Sequence, residues 1–230
     1  MLATLGVPAF KVASGELTHH VFLAYLAAKG LPLLISTGMA NAPEVAAALE
    51  TIRLNGNPPV ALLHCVSNYP ACPEDCNLAA ISTMRETFRV PVGWSDHTLG
   101  VHVGVAAAAL GADLIEKHLT LDRTLPGPDH QASVEPTELA ELVRAVRDVR
   151  MALGTGQKMR RSSEEEIAFV ARRSLFTTRD LPEGWRLAQG DLRAIRPGTG
   201  ISPDQLPSFI GRRLVRALRS GVLLRNEDVE

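Results

Sequence analysis

Two histidines stand at the ends of consecutive apolar segments, where they can share a metal ion. His97 follows residues 90–95, and His118 closes residues 113–118. If these segments are neighbouring parallel strands, they lie about 4.8 Å apart, which brings both imidazoles within reach of one ion. Two nitrogen ligands with water or substrate oxygens suit Mn²⁺ better than structural Zn²⁺. The alternative is that both are packed strand-end residues.

A lysine and three serines form a second set, suited to an anion. Lys11, Ser14, Ser36 and Ser95 lie at the ends of three apolar segments. One cation and three hydroxyls that converge on a barrel mouth can hold a phosphate or carboxylate. The alternative is that each serine satisfies nearby backbone groups.

Three further side chains are candidates on weaker signals. Glu16, after Ser-Gly, suits acid–base work if it is partly buried, and is otherwise a surface carboxylate. Asp129 lies in a loop stiffened by two prolines and is placed to meet a sugar hydroxyl, or is part of a plain turn. Arg196 precedes a Pro-Gly turn and is suited to clamp an anion or a sugar.

These residues need a scaffold that brings strand ends together. Five short apolar segments alternate with helical stretches up to residue 153: residues 10–14, 32–37, 60–65, 90–95 and 113–118. Helices are predicted over residues 44–54 and 101–110, and a longer one has Thr137 as its N-cap. Apolar runs between helices indicate buried parallel strands. Polar residues at every strand end favour a TIM barrel over a doubly wound sheet, whose site lies at one switch point.

The pattern predicts a partial barrel followed by a second domain. Residues 1–155 form five βα units, residues 156–168 form a polar linker, and residues 169–230 form a small β-rich domain with strands near 174–178, 192–195 and 214–218. No tandem repeat is evident. A closed barrel has eight strands, so three units are expected upstream.

Composition narrows the function classes. A formal net charge of −1 argues against nucleic acid or an anionic membrane as partner. No apolar run approaches the roughly 20 residues of a membrane span, and no signal-peptide pattern is present. Three cysteines make no disulfide framework, and with His64 they match no common zinc spacing, so free thiols in the cytoplasm are expected.

Together these segments resemble the sialic acid synthase family, which includes the N-acetylneuraminate, legionaminate and pseudaminate synthases and related spore-coat polysaccharide proteins. The resemblance runs from Leu5 to the C-terminus. It rests on residues 11–16, 35–40, 63–70, 93–98, 115–118 with 120–122, 126–130 and 196–198, in the family's order.

The resemblance implies a (β/α)₈ barrel followed by an antifreeze-like (SAF) domain, in a homodimer where the SAF domain of one chain caps the barrel of the other. It implies His97 and His118 as metal ligands, most simply for Mn²⁺, with Mg²⁺ or Co²⁺ as alternatives. By position, the phosphoenolpyruvate contacts are Lys11, Ser14, Ser36, Ser67 (where some members have Asn) and Ser95. The implied sugar contacts are Glu16, Tyr69, Asp129 and Arg196, and Glu16 is also the candidate for proton transfer.

The implied activity is that of a transferase. It condenses phosphoenolpyruvate with N-acetylmannosamine or a related diacetamido sugar to a nonulosonic acid and releases phosphate. Two alternatives stay open: a non-catalytic remnant that binds a sugar or a partner through its SAF domain, and a 3-deoxy-sugar-phosphate synthase. In the family residues 11–16 belong to the fourth barrel strand, so a fragment or a misassigned start is expected.

Overall fold

A computed structural model describes residues 3–230, which divide between Gly156 and Gln157 into two units. The first unit alternates strands and helices. Its strands are β1 (Phe10–Val12), β2 (Leu33–Ser36), β3 (Val60–His64), β4 (Val92–Asp96) and β5 (Ile115–Lys117). Its helices are α1 (His20–Ala27), α2 (Ala42–Leu54), α3 (Ala80–Phe88), α4 (His102–Ala109) and α5 (Pro136–Leu153). Over residues 3–230, no helix is long and apolar enough to cross a membrane.

The five strands form one parallel sheet in the order β1-β2-β3-β4-β5, which confirms the predicted α/β class. The sheet is curled into a half-barrel. In a flat sheet β1 and β5 would lie about 19 Å apart, at about 4.8 Å for each of four steps. Instead the side chains of Lys11 on β1 and Glu116 on β5 approach to 3.4 Å. The curl therefore brings the two outer strands to face one another across a shared interior.

Strand burial explains the continuous apolar pattern. Leu33, Ile35, Leu62, Val92 and Trp94 are almost fully inaccessible, because the helices cover the outer face of the sheet while its inner face lines the half-barrel. Such two-sided burial is typical of parallel strands. The polar residues that follow each strand are left at one end, which is where the candidate site lies.

One helix start differs from the prediction. Helix α5 has Glu135 as its N-cap and Pro136 in its first turn, so Thr137 is not the cap. The Glu138 carboxylate accepts a hydrogen bond from the Glu135 backbone N–H at 3.0 Å. Proline suits the first helical position because it lacks the N–H that would stay unpaired there.

The second unit has its own leucine-rich core. Strands β6 (Ser174–Thr177) and β7 (Leu192–Ile195) pair antiparallel, and helices α6 (Glu165–Ala171) and α7 (Leu206–Phe209) are short. The strand predicted over residues 214–218 does not form. The backbone N–H groups of Leu214, Val215 and Leu218 bond to Trp185, Asp228 and Leu181 respectively, so no continuous ladder develops.

Residues 175–192 and 212–229 repeat one structure, with matching positions 37 apart, as for Leu181 and Leu218. The two copies donate equivalent backbone hydrogen bonds to each other. Leu181 N–H donates to Leu218 C=O, and Leu218 N–H donates to Leu181 C=O, both at 2.8 Å. Gly184 N–H bonds to Leu214 C=O at 2.8 Å, and its counterpart Gly221 N–H bonds to Thr177 C=O at 2.9 Å. The second unit thus has an internal pseudo-two-fold axis, which the sequence analysis missed.

Near the end of each repeat, a buried aspartate pairs with an exposed arginine in the same way. Arg179 Nε donates to Asp191 Oδ1 at 2.9 Å, and Arg216 Nε donates to Asp228 Oδ1 at 2.7 Å. Both carboxylates also accept from the backbone N–H three residues earlier. The repeat is hard to see in the sequence because Arg, two Leu, Gly and Asp are nearly its whole shared pattern.

Candidate active site at the carboxyl ends of the strands

Lys11 stands at the centre of a polar cluster inside the half-barrel. Its Nζ donates to Ser36 Oγ at 2.9 Å and lies 3.4 Å from Glu116 Oε2. The Lys11 and Glu116 side chains are 35% and 34% exposed, so both stay accessible from solvent. Strands β1, β2 and β5 therefore present one cation, one hydroxyl and one carboxylate to the same space.

Ser95 connects this cluster to the histidines. Its Oγ donates to Glu116 Oε1 at 2.7 Å and lies 3.2 Å from His97 Nε2. Glu116 is not among the site residues predicted from the sequence. Alternation along a strand puts Glu116 and His118 on one face, which was an available signal. The pairing of Ser95 with Glu116 depends on the strand register, which only the structure supplies.

His97 is held in one tautomer. It is buried, and its Nδ1 donates to the Val66 carbonyl at 2.5 Å. Burial lowers the pKa of His97, against the opposing effect of the Val66 carbonyl. The ring is therefore neutral near pH 7, with its lone pair on Nε2. Neutral imidazole with the other nitrogen fixed by a hydrogen bond is the usual form of a metal-ligating histidine.

The His97 ring lies beside His118 and Tyr69, and Asp129 lies beside His118. The two imidazole centroids are 5.4 Å apart with the rings nearly perpendicular, and the Tyr69 ring centroid is 4.1 Å from that of His97. Asp129 Oδ2 lies 3.7 Å from His118 Nδ1. Burial raises the pKa of Tyr69, and the Asp129 and Glu116 charges act in the same direction, so Tyr69 keeps its proton at neutral pH.

Ser14 and Ser67 meet at the edge of the cluster, with their Oγ atoms 3.0 Å apart. Gly38 packs directly against them. A Cβ on Gly38 would lie 2.2 Å from Ser67 Oγ and 2.5 Å from the Ser14 Cβ, and its φ of +24° is one that side chains rarely adopt. Its N–H donates to Cys65 Sγ at 3.2 Å. Glycine is therefore required where the β2 end approaches the two serines.

Two predicted residues have their contacts elsewhere. Glu16 Oε2 lies 2.9 Å from His19 Nδ1, in a pair that is about half exposed, and the hydrogen bonds of the cluster do not include it. Arg196 is exposed in the second unit, where its Nε donates to the Ala171 carbonyl at 3.0 Å. Within the first unit, the structure thus brings together the lysine, the candidate serines, Tyr69, Asp129 and both histidines, and leaves Glu16 outside their contacts.

Asp96 on β4 and Lys117 on β5 point to the opposite face of the sheet from Ser95 and Glu116, and they form a separate buried pair. Lys117 Nζ lies 3.0 Å from Asp96 Oδ2, and both side chains are almost fully buried. Asp96 Oδ1 accepts from the Thr98 N–H and hydroxyl at 3.0 and 2.8 Å. A Cβ on Gly104 of α4 would lie 3.2 Å from Asp96 Oδ2, which places this pair on the helix side of the sheet. It supports β4 and β5 and does not reach the site.

The residues present fit a divalent ion with few protein ligands. Within residues 3–230, no group of three or more His, Cys, Asp or Glu side chains converges as a metal site. His97 offers an Nε2 lone pair toward the space beside His118, which leaves the remaining ligand positions to water or substrate oxygen. Cys65, Cys72 and Cys76 are free thiols, as the sequence predicted.

Comparisons with known proteins show which family this chain belongs to. Residues 1–158 match the NeuB family, and residues 172–230 match the SAF domain. The chain is 45% identical to N,N'-diacetyllegionaminic acid synthase of Legionella pneumophila, over 100% of this chain and 65% of that protein. It is 37% identical to human N-acetylneuraminate-9-phosphate synthase, over 100% of this chain and 64% of that protein.

Among solved structures, the chain resembles the N-acetylneuraminic acid synthetase of Leptospira borgpetersenii, crystallised with citrate. The TM-score is 0.67 at 40% identity, over 72% of this chain and 58% of that one. The chain therefore belongs to the NeuB family and carries a SAF domain after its NeuB region. It spans slightly less than two thirds of the length of the two curated relatives named above.

Proposed function

We propose that this chain carries the site of a synthase that condenses phosphoenolpyruvate with an N-acetylated amino sugar. The product is a nonulosonic acid, and phosphate is released. One observation carries the proposal: the Lys11 ammonium, beside Ser36, is joined through Glu116 and Ser95 to the His97–His118 pair. The names of the relatives, which are legionaminic and neuraminic acid synthases, support the substrate class.

The anion-binding role belongs to the lysine and the hydroxyl groups. Lys11 Nζ and Ser36 Oγ are already 2.9 Å apart and share one side of the interior. An ammonium with hydroxyl donors binds a phosphate or carboxylate through charge-assisted hydrogen bonds. Ser95 lies across from them, and Ser14 and Ser67 add two hydroxyls at the β2 end. These five residues would hold phosphoenolpyruvate.

His97 and His118 would hold a divalent ion, most simply Mn²⁺, which when bound supplies Lewis-acid polarisation of the aldehyde of the open-chain sugar. The Tyr69 ring lies tilted against both imidazole rings, and Tyr69 presents a protonated hydroxyl. Asp129 lies beside His118. These two residues would bind and orient the sugar, and the position of Asp129 against His118 keeps the sugar close to the histidine pair.

The reaction that fits these roles forms one carbon–carbon bond. C3 of phosphoenolpyruvate bonds to the aldehyde carbon, and water adds at C2. Phosphate then leaves with the bridging oxygen, so that the keto acid and inorganic phosphate account for all atoms. The residues would hold the enol carbon and the aldehyde within reach of each other, which lowers the entropic cost of a two-substrate reaction.

Glu16 is proposed as the proton-transfer residue and as a sugar contact. Its carboxylate is half exposed and pairs with His19, so it is accessible to a substrate. Glu16→Gln would keep the size of the side chain and remove its acid–base capacity. Full activity of Glu16→Gln would refute the role.

The proposed assembly is a homodimer in which the SAF domain of one chain caps the half-barrel of the other, and the proposed location is the cytoplasm. The exposed Arg196 would reach the substrate anion or the sugar in the partner's site. An exposed guanidinium in a Pro-Gly turn suits that role because Arg binds carboxylates and phosphates through two hydrogen bonds.

Phosphate release tests the proposal. The purified protein is given phosphoenolpyruvate, Mn²⁺ and either N-acetylmannosamine, its 6-phosphate or a diacetamido-trideoxy sugar. We expect release that requires one of these sugars, stops with a chelator and is lost in Lys11→Met. Lys29→Met is the matched control, because Lys29 lies over the Tyr25 ring on α1, away from the site. Release without any sugar would contradict the proposal.

A further inference from the structure

Ser95 lies between a carboxylate and a histidine nitrogen and has one proton to donate. Its Oγ is 2.7 Å from Glu116 Oε1 and 3.2 Å from His97 Nε2. A serine hydroxyl carries a single donor hydrogen, so these two acceptors compete for it. The shorter contact is to the charged acceptor, and charge-assisted hydrogen bonds are the stronger kind. Ser95 therefore donates to Glu116, and His97 Nε2 receives no proton from it.

The opposite side of the His97 ring is fixed as well. Its Nδ1 lies 2.5 Å from the Val66 carbonyl, and a carbonyl only accepts. Nδ1 must therefore carry the ring hydrogen, which leaves the lone pair of the neutral imidazole on Nε2. The neighbouring groups thus assign both the Nδ1 hydrogen of His97 and the hydroxyl hydrogen of Ser95. The Nε2 lone pair of His97 stays available to a metal ion or another donor.

We infer that Glu116 is a positioning residue for metal binding: by taking the only proton of Ser95, it keeps the Nε2 lone pair of His97 free to bind a divalent cation. The inference rests on the proposed metal at His97 and His118. It assigns Glu116 a role through hydrogen bonding, with no ligand bond of its own. Lys11 Nζ, 3.4 Å from Oε2, holds the carboxylate so that Oε1 faces Ser95.

Glu116→Gln separates this role from a purely structural one. The Lys11 ammonium attracts the amide oxygen of the new side chain and repels its NH₂ group. The NH₂ group then faces Ser95 and donates to its Oγ, because an amide nitrogen cannot accept. The Ser95 proton is released toward His97 Nε2, 3.2 Å away, and a hydrogen bond there competes with the metal.

Mn²⁺ affinity of the purified full chain, measured by calorimetry without substrates, tests the inference. Glu116→Gln is expected to bind Mn²⁺ about 10- to 100-fold more weakly, the usual effect of losing an outer partner of a metal-binding histidine. Ser95→Ala removes the competing proton and is expected to keep wild-type affinity. The double variant, Glu116→Gln with Ser95→Ala, is expected to recover to within a few-fold of Ser95→Ala.

Recovery in the double variant is the decisive result, because a direct metal contact by Glu116 would not be restored by removing Ser95. A double variant as weak as Glu116→Gln overturns the inference, and so does wild-type affinity in Glu116→Gln. If the wild-type chain binds no Mn²⁺, the proposed metal site itself fails, which is a distinguishable result.

A second measurement tests the inference even if thermal unfolding shows that Glu116→Gln does not fold. The ¹⁵N chemical shift of His97 Nε2 in the metal-free wild-type protein reports whether that nitrogen accepts a hydrogen bond. We expect the same shift in the wild type and in Ser95→Ala, because Ser95 gives no hydrogen bond to this nitrogen and only water can. A shift that changes when Ser95 is replaced would overturn the inference.

Discussion

Among single residues, Gly38 has no room for a side chain. Its Cβ position is filled by the side chains of Ser14 and Ser67, which the proposed function assigns to phosphoenolpyruvate. Its N–H also fixes the buried Cys65 thiol. Steric packing at one glycine therefore sets the spacing of two hydroxyl groups that a substrate would contact.

Gly38→Ala is expected to displace Ser14 and Ser67 and to lower kcat/KM for phosphoenolpyruvate about 100-fold, since a misplacement of about 1 Å at a site has effects of that size. Steady-state kinetics with varied phosphoenolpyruvate would measure it. Gly15→Ala is the matched control, because nothing lies within 4 Å of its Cβ position. Equal kinetics for the two variants would refute the role of Gly38.

Candidate site residues could be found from the sequence because the polar ends of parallel strands meet at one end of a barrel, so residues far apart in sequence can be grouped. Lys11, Ser36, Ser95, His97 and His118 were selected this way, and the structure brings them together. Glu116 was missed because its two side-chain contacts, with Ser95 and Lys11, depend on strand register and on the curl of the sheet.

Among the elements, the buried pair of Asp96 and Lys117 ties β4 to β5. Among the described residues Asp96 Oδ2 has no well-aligned hydrogen-bond partner, so the ammonium 3.0 Å away is what balances its charge. Removing one member of a buried pair leaves an uncompensated charge, which costs more than the pair itself contributes.

Lys117→Met is expected to lower the free energy of unfolding of the first unit by about 3–5 kcal/mol. Urea denaturation followed by circular dichroism would measure it. Glu50→Gln, which removes the exposed ion pair with Arg53 on α2, should leave stability nearly unchanged. A Lys117→Met protein as stable as Glu50→Gln would show that the buried pair does not support the sheet.

The strands and helices of the first unit could be predicted from the sequence. Burial on both faces gives each strand an unbroken apolar run, and helical stretches separate these runs. The start of α5 was misplaced since proline and glutamate at the helix N-terminus compete with the threonine cap. The second unit was harder. Its strands are short, and the backbone of residues 214–218 changes partner at nearly every residue.

The repeat of the second unit gives it an acid-sensitive carboxylate. Burial alone would raise the pKa of Asp191, but hydrogen bonds from the Ala188 N–H, Trp185 and Arg179 outweigh it and hold the pKa below its usual value. A carboxylate with a lowered folded-state pKa stabilises the fold above its unfolded-state pKa, about 3.9. That stabilisation is lost as pH falls through the folded-state pKa.

Asp191→Asn is therefore expected to lower the stability of the second unit near pH 7 and to flatten its dependence on pH below about 4. Thermal unfolding from pH 7 to pH 2 would measure both effects. Asp204→Asn, at an exposed aspartate, should follow the wild-type curve. An unchanged acid dependence in Asp191→Asn would refute the assignment.

At the scale of the whole molecule, the chain combines two units with separate cores, one of the NeuB family and one SAF domain. The proposed homodimer makes the site of one chain depend on Arg196 of the other. This arrangement is open to a complementation test, because in a mixed dimer two defects placed in different units would fall in one site and leave the other site intact.

An equal mixture of Lys11→Met and Arg196→Ala chains, each inactive alone, is expected to regain about a quarter of wild-type activity after subunit exchange. Half of the dimers would be mixed, and each mixed dimer would hold one intact site of two. Phosphate release would measure it. No recovery, with mixed dimers verified by native mass spectrometry, would place Arg196 in the site of its own chain.

The central claim is that this site joins phosphoenolpyruvate to an amino sugar through a carbon–carbon bond. Mass spectrometry of the products formed from uniformly ¹³C-labelled phosphoenolpyruvate and an unlabelled N-acetylated amino sugar tests it most directly. The account predicts a nonulosonic acid that carries all three labelled carbons, with no labelled product when the sugar is omitted. Labelled pyruvate as the only product would contradict it.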